Sequence, residues 1–556
     1  MKLFIQKRYP VFIALLVLAL LLFISCQQIL LATNDYFCYP LDDTFIHMTI
    51  AKNFALNGTW GINPQEFSSA SSSPLYTLIL AGLFKLSINS MWMPFFVNAF
   101  FACLLLITSG KLLRQFNVSP VAQCIILLLI VILTPLTVMI VCGMEHTLHA
   151  WLAVLLLYKT IHFLRQDSPD LKTVVITALI AGLAILARFE ALFLLAAIVI
   201  LGIYNKKWLS TFALLVIALI PMVLFGYLSL QQGGYFLPNS VLLKASHIGG
   251  GLEQLKNSLQ EIVLYKLIYG NNTMMNIFSD QYAPEGASSL SGTVLVRLLI
   301  VIPVLLLTLK TDAQKTFSGK LVKQLGCIFI ITCFLHLALA AVGWLFRYEA
   351  YLVVMGIITG SLLLYPQLIN GRAKLFAQSL LERLVLLFLV IFTLAPLPLR
   401  AMSAYNNLPK ACRNIYEQQH QIGRFLQQSY HHTAIAVNDI GAVSYMSDNR
   451  ILDMWGLGNN IVATSKLQGH YTSSFLQQFT QKQQIKIAIV YDSWFDSTLL
   501  HQWKKVATWK ISDNVICGSD EVSFYAIDPA WTGSLADRLK NFSGQLPRDV
   551  RVTYFQ

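Results

Sequence analysis

LDDTFIHMTIAKNFALNGTWGINPQEFSSASSSPLYTLILAGLFK, residues 41–85, decides how the rest of the chain is read. It follows an apolar run over about residues 10–32 that begins just after Lys7 and Arg8. That run is long enough for a ~30 Å hydrocarbon core. The quoted stretch closes on PLYTLILAGLFK, which is apolar but covers only about twelve residues. As a helix it reaches ~18 Å at ~1.5 Å per residue, too short to span. We therefore read Pro74–Lys85 as lying in the outer interface, and that choice sets the direction of every later span.

Working outward, further apolar runs read as spans at 92–113, 121–142, 146–164, 173–188, 190–205, 208–229, 292–309, 324–346, 350–367 and 380–398. With the first, they make about eleven. With the N-terminus in the cytoplasm, the inner loops hold Lys111 and Arg114, Arg165 and Lys172, Lys206 and Lys207, Lys310 to Lys323, and Arg372, Lys374 and Arg383. This is the positive-inside pattern. Composition agrees. Of 556 residues, 56% are hydrophobic and 12% charged, against about 25% charged in soluble domains. Mean hydropathy is +0.61. A water-soluble enzyme, a disordered chain and a fibrous repeat are excluded. The net charge of +13 is placed by the inner loops, so no nucleic-acid partner is needed. The first run ends in Ile24-Ser25-Cys26 but is long for a cleaved signal, and we read it as a retained anchor. The nine cysteines show no zinc spacing. Cys412 and Cys517 fall in the polar tail and could pair if that tail is exported.

The same alternation sends a second set of residues outward: the Asp42-Asp43 loop, Glu145-His146, Arg188-Phe189-Glu190, Leu237-Pro238-Asn239 and Arg347-Tyr348-Glu349. None of them was used to choose the topology. Charged groups beside a bilayer are costly, so a one-sided gathering points to a site. Asp42 and Asp43 suit a general base or the ligands of a divalent cation, and equally suit capping of a juxtamembrane helix. Asp43 and His47, four apart, share a helix face. Glu145 starts a span, where the helix dipole favours an acid, with His146 and His149 behind it. Arg188 and Glu190, two apart on a helix, point in different directions and are expected to pair elsewhere. Arg188 either binds phosphate or snorkels. Lys244 is placed to meet an anionic headgroup or to sit solvated in a loop. Arg347 can grip phosphate bidentately or contact lipid headgroups. The tail reads as a small α/β unit, with strands at 434–438, 485–491, 506–511 and 522–527. In it Asn438-Asp439-Ile440-Gly441-Ala442 follows a strand, and Gly441 can turn against a ligand.

Six motifs in order resemble a known family: LDDTFIHMTIAKNFALNGTWGINPQEFSSASSSPLYTLILA, CGMEHTL, LARFEAL, GGYFLPNSVLLKA, WLFRYEAYL and VNDIGAVSYMSDNRILDMWGLGN. Together they run from Leu41 to about Asn459 and resemble the GT-C membrane glycosyltransferases, most nearly the bacterial arabinofuranosyltransferase-like proteins. Many relatives carry an arginine after the acidic pair, where this chain has His47-Met48-Thr49. The resemblance implies a mainly α, polytopic GT-C fold: a membrane domain over 1–399, with a first outer loop 33–91 and an outer segment 230–291, and an extracytoplasmic α/β domain over 400–556. It implies inverting transfer of a sugar from a polyprenyl-phosphate donor, at the outer face of a bacterial inner membrane, to an envelope glycan, lipid or protein. The base falls on Asp42 or Asp43, which are also the positions for a magnesium, manganese or calcium ion in those members that use one. His47, Glu145, His146, Arg188, Glu190, Lys244 and Arg347 are the substrate-binding candidates. Two other classes stay open: a transporter or flippase of lipid-linked sugars, and a non-catalytic envelope assembly protein. Transporters place their sites near the midplane and often show inverted repeats, whereas here the charged motifs sit at span ends.

Overall fold

The computed structural model describes residues 9–245, 308, 317–340, 343–369 and 396–555. The expected spans at 292–309 and 380–398, apart from 308 and 396–398, lie outside the described residues. So do most of the outer segment and the inner-loop residues Lys310, Lys315, Arg372, Lys374 and Arg383.

Chain order begins with α1 (Tyr9–Ala32), α2 (Asp43–Asn57), α3 (Pro74–Lys85), α4 (Met93–Gln115), α5 (Pro120–Leu133) and α6 (Leu136–Val141). Next come α7 (His146–Arg165), α8 (Leu171–Ala187), α9 (Ala191–Tyr204), α10 (Trp208–Gln231), α11 (Asn239–Ala245), α12 (Phe317–Leu339) and α13 (Ala350–Ile369). Among the described helices, α1, α4, α7, α10 and the 319–336 part of α12 are long and apolar enough to cross a membrane. The chain is a multi-pass membrane protein. On α1, Phe12, Leu16, Leu20 and Phe23 stay exposed, as do Val216, Ile220, Val223 and Tyr227 on α10. Hydrocarbon, not water, is the solvent that suits such faces.

Two expected spans are interrupted. The run 121–142 is two helices, because Pro135 has no N–H to continue the ladder. The run 324–346 stops at Leu339, and Gly343, Trp344, Leu345 and Phe346 follow in left-handed conformation, with φ of 90°, 51°, 60° and 56°. This turn places Arg347, Tyr348 and Glu349 just ahead of α13. It is held by Glu349, which accepts from the Gly343 N–H at 3.0 Å and pairs with the buried Arg400.

Helix α3 is a short helix started by the Ser73 hydroxyl, which accepts from the Tyr76 N–H at 3.3 Å. It packs against α2 and α8. Tyr76, Thr77, Leu80 and Phe84 are its buried face.

The polar tail does not begin as a separate unit. Helix α14 (Pro396–Ile415) packs on α1 and α5, then runs through a π-helical turn at Tyr416–His420 into α15 (Gln421–Ser429). After it come β1 (Ala434–Val437), α16 (Gly441–Met446), β2 (Arg450–Asp453), α17 (Asn460–Leu467), α18 (Ser473–Lys482), β3 (Ile487–Val490), β4 (Lys504–Lys510), β5 (Glu521–Ala526), α19 (Thr532–Ser543) and β6 (Arg551–Tyr554). They form a six-stranded sheet of order β2-β1-β3-β5-β4-β6. Strands β2, β1 and β3 are parallel, and the remaining pairs are antiparallel. The AIAV and IAIV strands are apolar throughout, as a strand covered on both faces requires. Strands β2 and β6 were not expected. Both are four-residue edge strands with polar ends, too short for an alternating pattern to show. The first loop reaches this sheet. Asn63 donates to the Ile451 carbonyl and accepts from the Ile451 N–H, both at 2.9 Å.

Candidate functional site

The site is assembled around the N-terminus of α2. Asp42 precedes the helix but makes no side-chain cap to it. Its two oxygens instead accept the main-chain N–H groups of Gly441 (2.6 Å) and Ala442 (2.8 Å). Burial and the nearby Asp439 push its carboxyl up to about 8, against the pull of those two N–H groups. Asp439 lies at the end of β1 and accepts from the Tyr491 hydroxyl (2.7 Å) and the Gln419 amide (2.8 Å). Burial raises its carboxyl as well. The π-helical turn carries Gln418 and Gln419 into this cluster, where Gln418 accepts from the Tyr491 hydroxyl at 2.5 Å.

Asp43 points elsewhere. It accepts from Arg347 Nη2 at 2.8 Å, and its side chain is 32% exposed while that of Arg347 is 1% exposed. One helical turn on, His47 is buried. Its Nδ1 lies 3.0 Å from the Thr77 hydroxyl and 3.2 Å from that of Ser71, and its Nε2 lies 3.4 Å from Glu145. Glu145 is fully buried and is a hub. It accepts from Arg188 Nη1 at 2.6 Å and from the Ser72 hydroxyl at 3.3 Å. Arg188 also donates to Glu190, at 2.5 Å. Arg188 thus meets another group, Glu145, as expected, but it meets Glu190 as well. Helix α8 ends at Ala187, and Arg188 is extended (φ −158°, ψ 134°), so helical spacing does not apply between them.

Tyr348 joins the two basic groups. Its ring lies 5.2 Å from the Arg188 guanidinium and 4.9 Å from that of Arg347. His146 meets the same ring edge-on at 6.0 Å. Among the described residues, both His146 ring nitrogens, Arg188 Nε, and Arg347 Nε and Nη1 are buried without a hydrogen-bond partner. Buried donors are nearly always satisfied, so a cluster of unsatisfied ones around two guanidinium groups is unusual and leaves several N–H groups there able to donate.

The remaining candidates divide. Lys244 belongs to α11, but its side chain lies outside the described residues. Asn239, at the start of that helix, donates to the carbonyls of Gly456 (3.4 Å) and Leu457 (3.2 Å) and to Asn460 (2.9 Å). This ties the LPN motif to the WGLGN motif. The WGLGN loop is itself gathered by buried Asp453, which accepts from the N–H groups of Trp455, Gly456 and Gly458. Cys412 and Cys517 are buried thiols and form no disulfide with each other. The sequence places Tyr348 and Glu349 in the outward set but does not show what they meet, and it does not single out the serines of the 68–73 loop or Arg400. A run of serines leading into a short apolar helix is the signal for those serines.

Among the described residues, no group of three or more His, Cys, Asp or Glu is arranged to hold a metal ion. The donors present fit one poorly. Asp42 has both oxygens on main-chain N–H groups, and Asp43 already holds the Arg347 guanidinium at 2.8 Å, whose positive charge would oppose a cation there.

ArnT from Cupriavidus metallidurans bound to undecaprenyl phosphate superposes with a TM-score of 0.51 at 12% identity, over 92% of this chain and 98% of that one. The Archaeoglobus fulgidus oligosaccharyltransferase in the apo form gives 0.50 at 13%, over 93% and 74%. The same enzyme tethered to an acceptor peptide containing the NVT sequon gives 0.50 at 13%, over 99% and 76%. The chain shares the fold of ArnT and of this oligosaccharyltransferase. At such identities the likeness is one of fold. Within this fold, the first loop and the α/β domain of this chain meet at Asp42, beside the Arg347 pair. A family model described as "Domain of unknown function (DUF8728)" matches residues 413–525, which carry most of the sheet. No curated protein matches the chain.

Proposed function

We propose that this GT-C protein transfers a sugar from a polyprenyl-phosphate donor to a cell-envelope acceptor, with inversion at the anomeric carbon. The observation that carries the reading is the Arg188–Tyr348–Arg347 stack, with its unsatisfied buried donors, set directly beside Asp43. Asp43 acts as the base. It takes the proton of the acceptor hydroxyl as that oxygen bonds to the anomeric carbon, while the bond from that carbon to the phosphate oxygen breaks. The departing lipid phosphate carries the released electron pair. Arg347 and Arg188 hold it through charge-assisted hydrogen bonds, which strengthen as negative charge develops. Glu145 and Glu190 fix the Arg188 fork, and His47 fixes Glu145. A donor whose tail stays in the bilayer must react at its edge, and these residues lie at helix starts and in the loops before them.

The site and the α/β domain belong on the extracytoplasmic side of a bacterial inner membrane, with the N-terminus in the cytoplasm. Single cysteines at Lys85 and Lys111 test this: labelling of the Lys111 position from outside would overturn it.

The reaction is tested with purified protein and a panel of polyprenyl-phospho-sugars and envelope acceptors, including pentofuranose donors. Wild type transfers sugar from one donor and Asp43→Asn does not. Binding and translocation of a lipid-linked sugar without transfer would favour a transporter instead. Transfer at the wild-type rate by Asp43→Asn would remove Asp43 from the chemistry.

A further inference from the structure

Asp42 and Asp43 are neighbours bonded to different parts of the molecule. Asp43 meets Arg347 in the membrane domain. Asp42 meets Gly441 and Ala442, 399 and 400 residues further along the chain. This second contact leaves room for glycine alone. A Cβ added at Gly441 would lie 2.0 Å from the Asp42 carbonyl oxygen, and 2.8 Å from both its carbonyl carbon and its carboxyl carbon. Asp42 cannot move aside freely, because that same carbonyl accepts the N–H groups of Phe45 (3.0 Å) and Ile46 (3.4 Å) and so begins α2. Helix α16 continues alongside. Ser444 donates to Thr49 at 3.2 Å, and Lys52 lies 5.4 Å from the Tyr445 ring.

We infer that Asp42 is a positioning residue, through which the α/β domain fixes the first turn of α2 and aims the Asp43 carboxylate. This rests on the transferase reading for its catalytic consequence, with Asp43 as the group that touches the acceptor. Side chains one residue apart on a helix differ by about 100° in direction. A small rotation of this turn therefore displaces Asp43, and a ~1 Å misplacement of a reacting group can cost about 100-fold in rate. The Arg188–Tyr348–Arg347 stack makes no part of the Gly441 contact, so donor binding is expected to survive its loss.

The test uses the full chain in lipid nanodiscs. Gly441→Ala is compared with Asp42→Asn, with the double variant, and with Gly533→Ala, where an added Cβ meets nothing within 4 Å. Gly441→Ala is expected to lower kcat by about 100-fold with the donor KM within about threefold. The double variant should be no worse than the worse single one, since both remove one contact. The pH-rate profile of the residual activity should keep its shape. Independently of activity, amide exchange at residues 43–46 should quicken in Gly441→Ala and Asp42→Asn and stay unchanged in Gly533→Ala. If Gly441→Ala fails to fold, Asp42→Asn carries the test. Unchanged exchange at 43–46, multiplicative losses in the double variant, or loss of the acid limb of the pH profile in Asp42→Asn would each overturn the inference. The last would make Asp42 itself the base. A wild type inactive on every donor would sink the transferase reading, while amide exchange still decides whether the α/β domain holds α2.

Discussion

Replacing Arg347 by methionine separates the phosphate role of this residue from any role in folding. Its Nη2 is used on Asp43, while Nε and Nη1 are buried and unpartnered among the described residues. A hydrogen bond to a charged group contributes about 1.5–3 kcal/mol. Two such bonds to a phosphate are then worth roughly 3–6 kcal/mol. At about 1.4 kcal/mol per tenfold, Arg347→Met should weaken binding of the lipid phosphate by about 10²–10⁴-fold. Arg347→Lys keeps the charge but not the planar fork, and should recover only part of the loss. The fold should tolerate either change. The Asp43 left behind is one-third exposed and within reach of water, so no buried charge is stranded, and methionine fills the buried space of the arginine stem. Binding of undecaprenyl phosphate to the detergent-solubilised protein is the assay, with thermal unfolding as the control. Arg347→Met that binds within about threefold of wild type, at unchanged Tm, would refute the reasoning.

The other perturbations have different signatures. Glu145→Gln leaves the buried Arg188 with only Glu190 as ionic partner, and a broken buried pair costs about 3–5 kcal/mol; a clear fall in Tm is expected, unlike the case of Arg347. Gly143→Ala should sharply reduce the yield of folded protein, because Gly143 has φ +66° and an added Cβ would lie 2.6 Å from both Tyr39 and Thr44; a normal yield with unchanged Tm would contradict this. Burial pushes the Lys466 ammonium down to about 8, with Asp453 pulling the other way. Between about pH 8 and its unfolded value the unfolded chain binds the extra proton, so stability of the α/β domain rises with pH there. The difference in Tm between wild type and Lys466→Met, followed from pH 7.5 to 10, should show that rise, and a flat difference would argue against it.

Much of the membrane part was legible because its signals are local. Apolar runs and the basic residues that follow them each act within a few residues. The candidate residues were legible as a set, since Asp43, Glu145, Arg188 and Arg347 are costly in apolar surroundings and need a reason to be there. Their partners were not. Arg188 reaches Glu190 only because the helix ends before them, and Tyr348 matters only because Arg188, from the distant turn after α8, comes over the ring that its own neighbour Arg347 already faces. The split roles of Asp42 and Asp43 were equally hidden, since the groups that separate them come from Arg347 and from Gly441 and Ala442, hundreds of residues away. Strand β2 was missed for a related reason: its four residues pair with β1 on one side and are met by Asn63 from the first loop on the other.

That last contact bears on how the α/β domain can be handled. Strand β2 is the outermost parallel strand, and its free side would offer unpaired main-chain groups to any passing strand. Asn63 stands in for the missing neighbour, supplying one donor and one acceptor to Ile451 as another strand would. Cut away from the first loop, the domain would present that edge to its own copies. Excising the tail leaves Asn63 behind and so bares the Ile451 N–H and carbonyl on that edge.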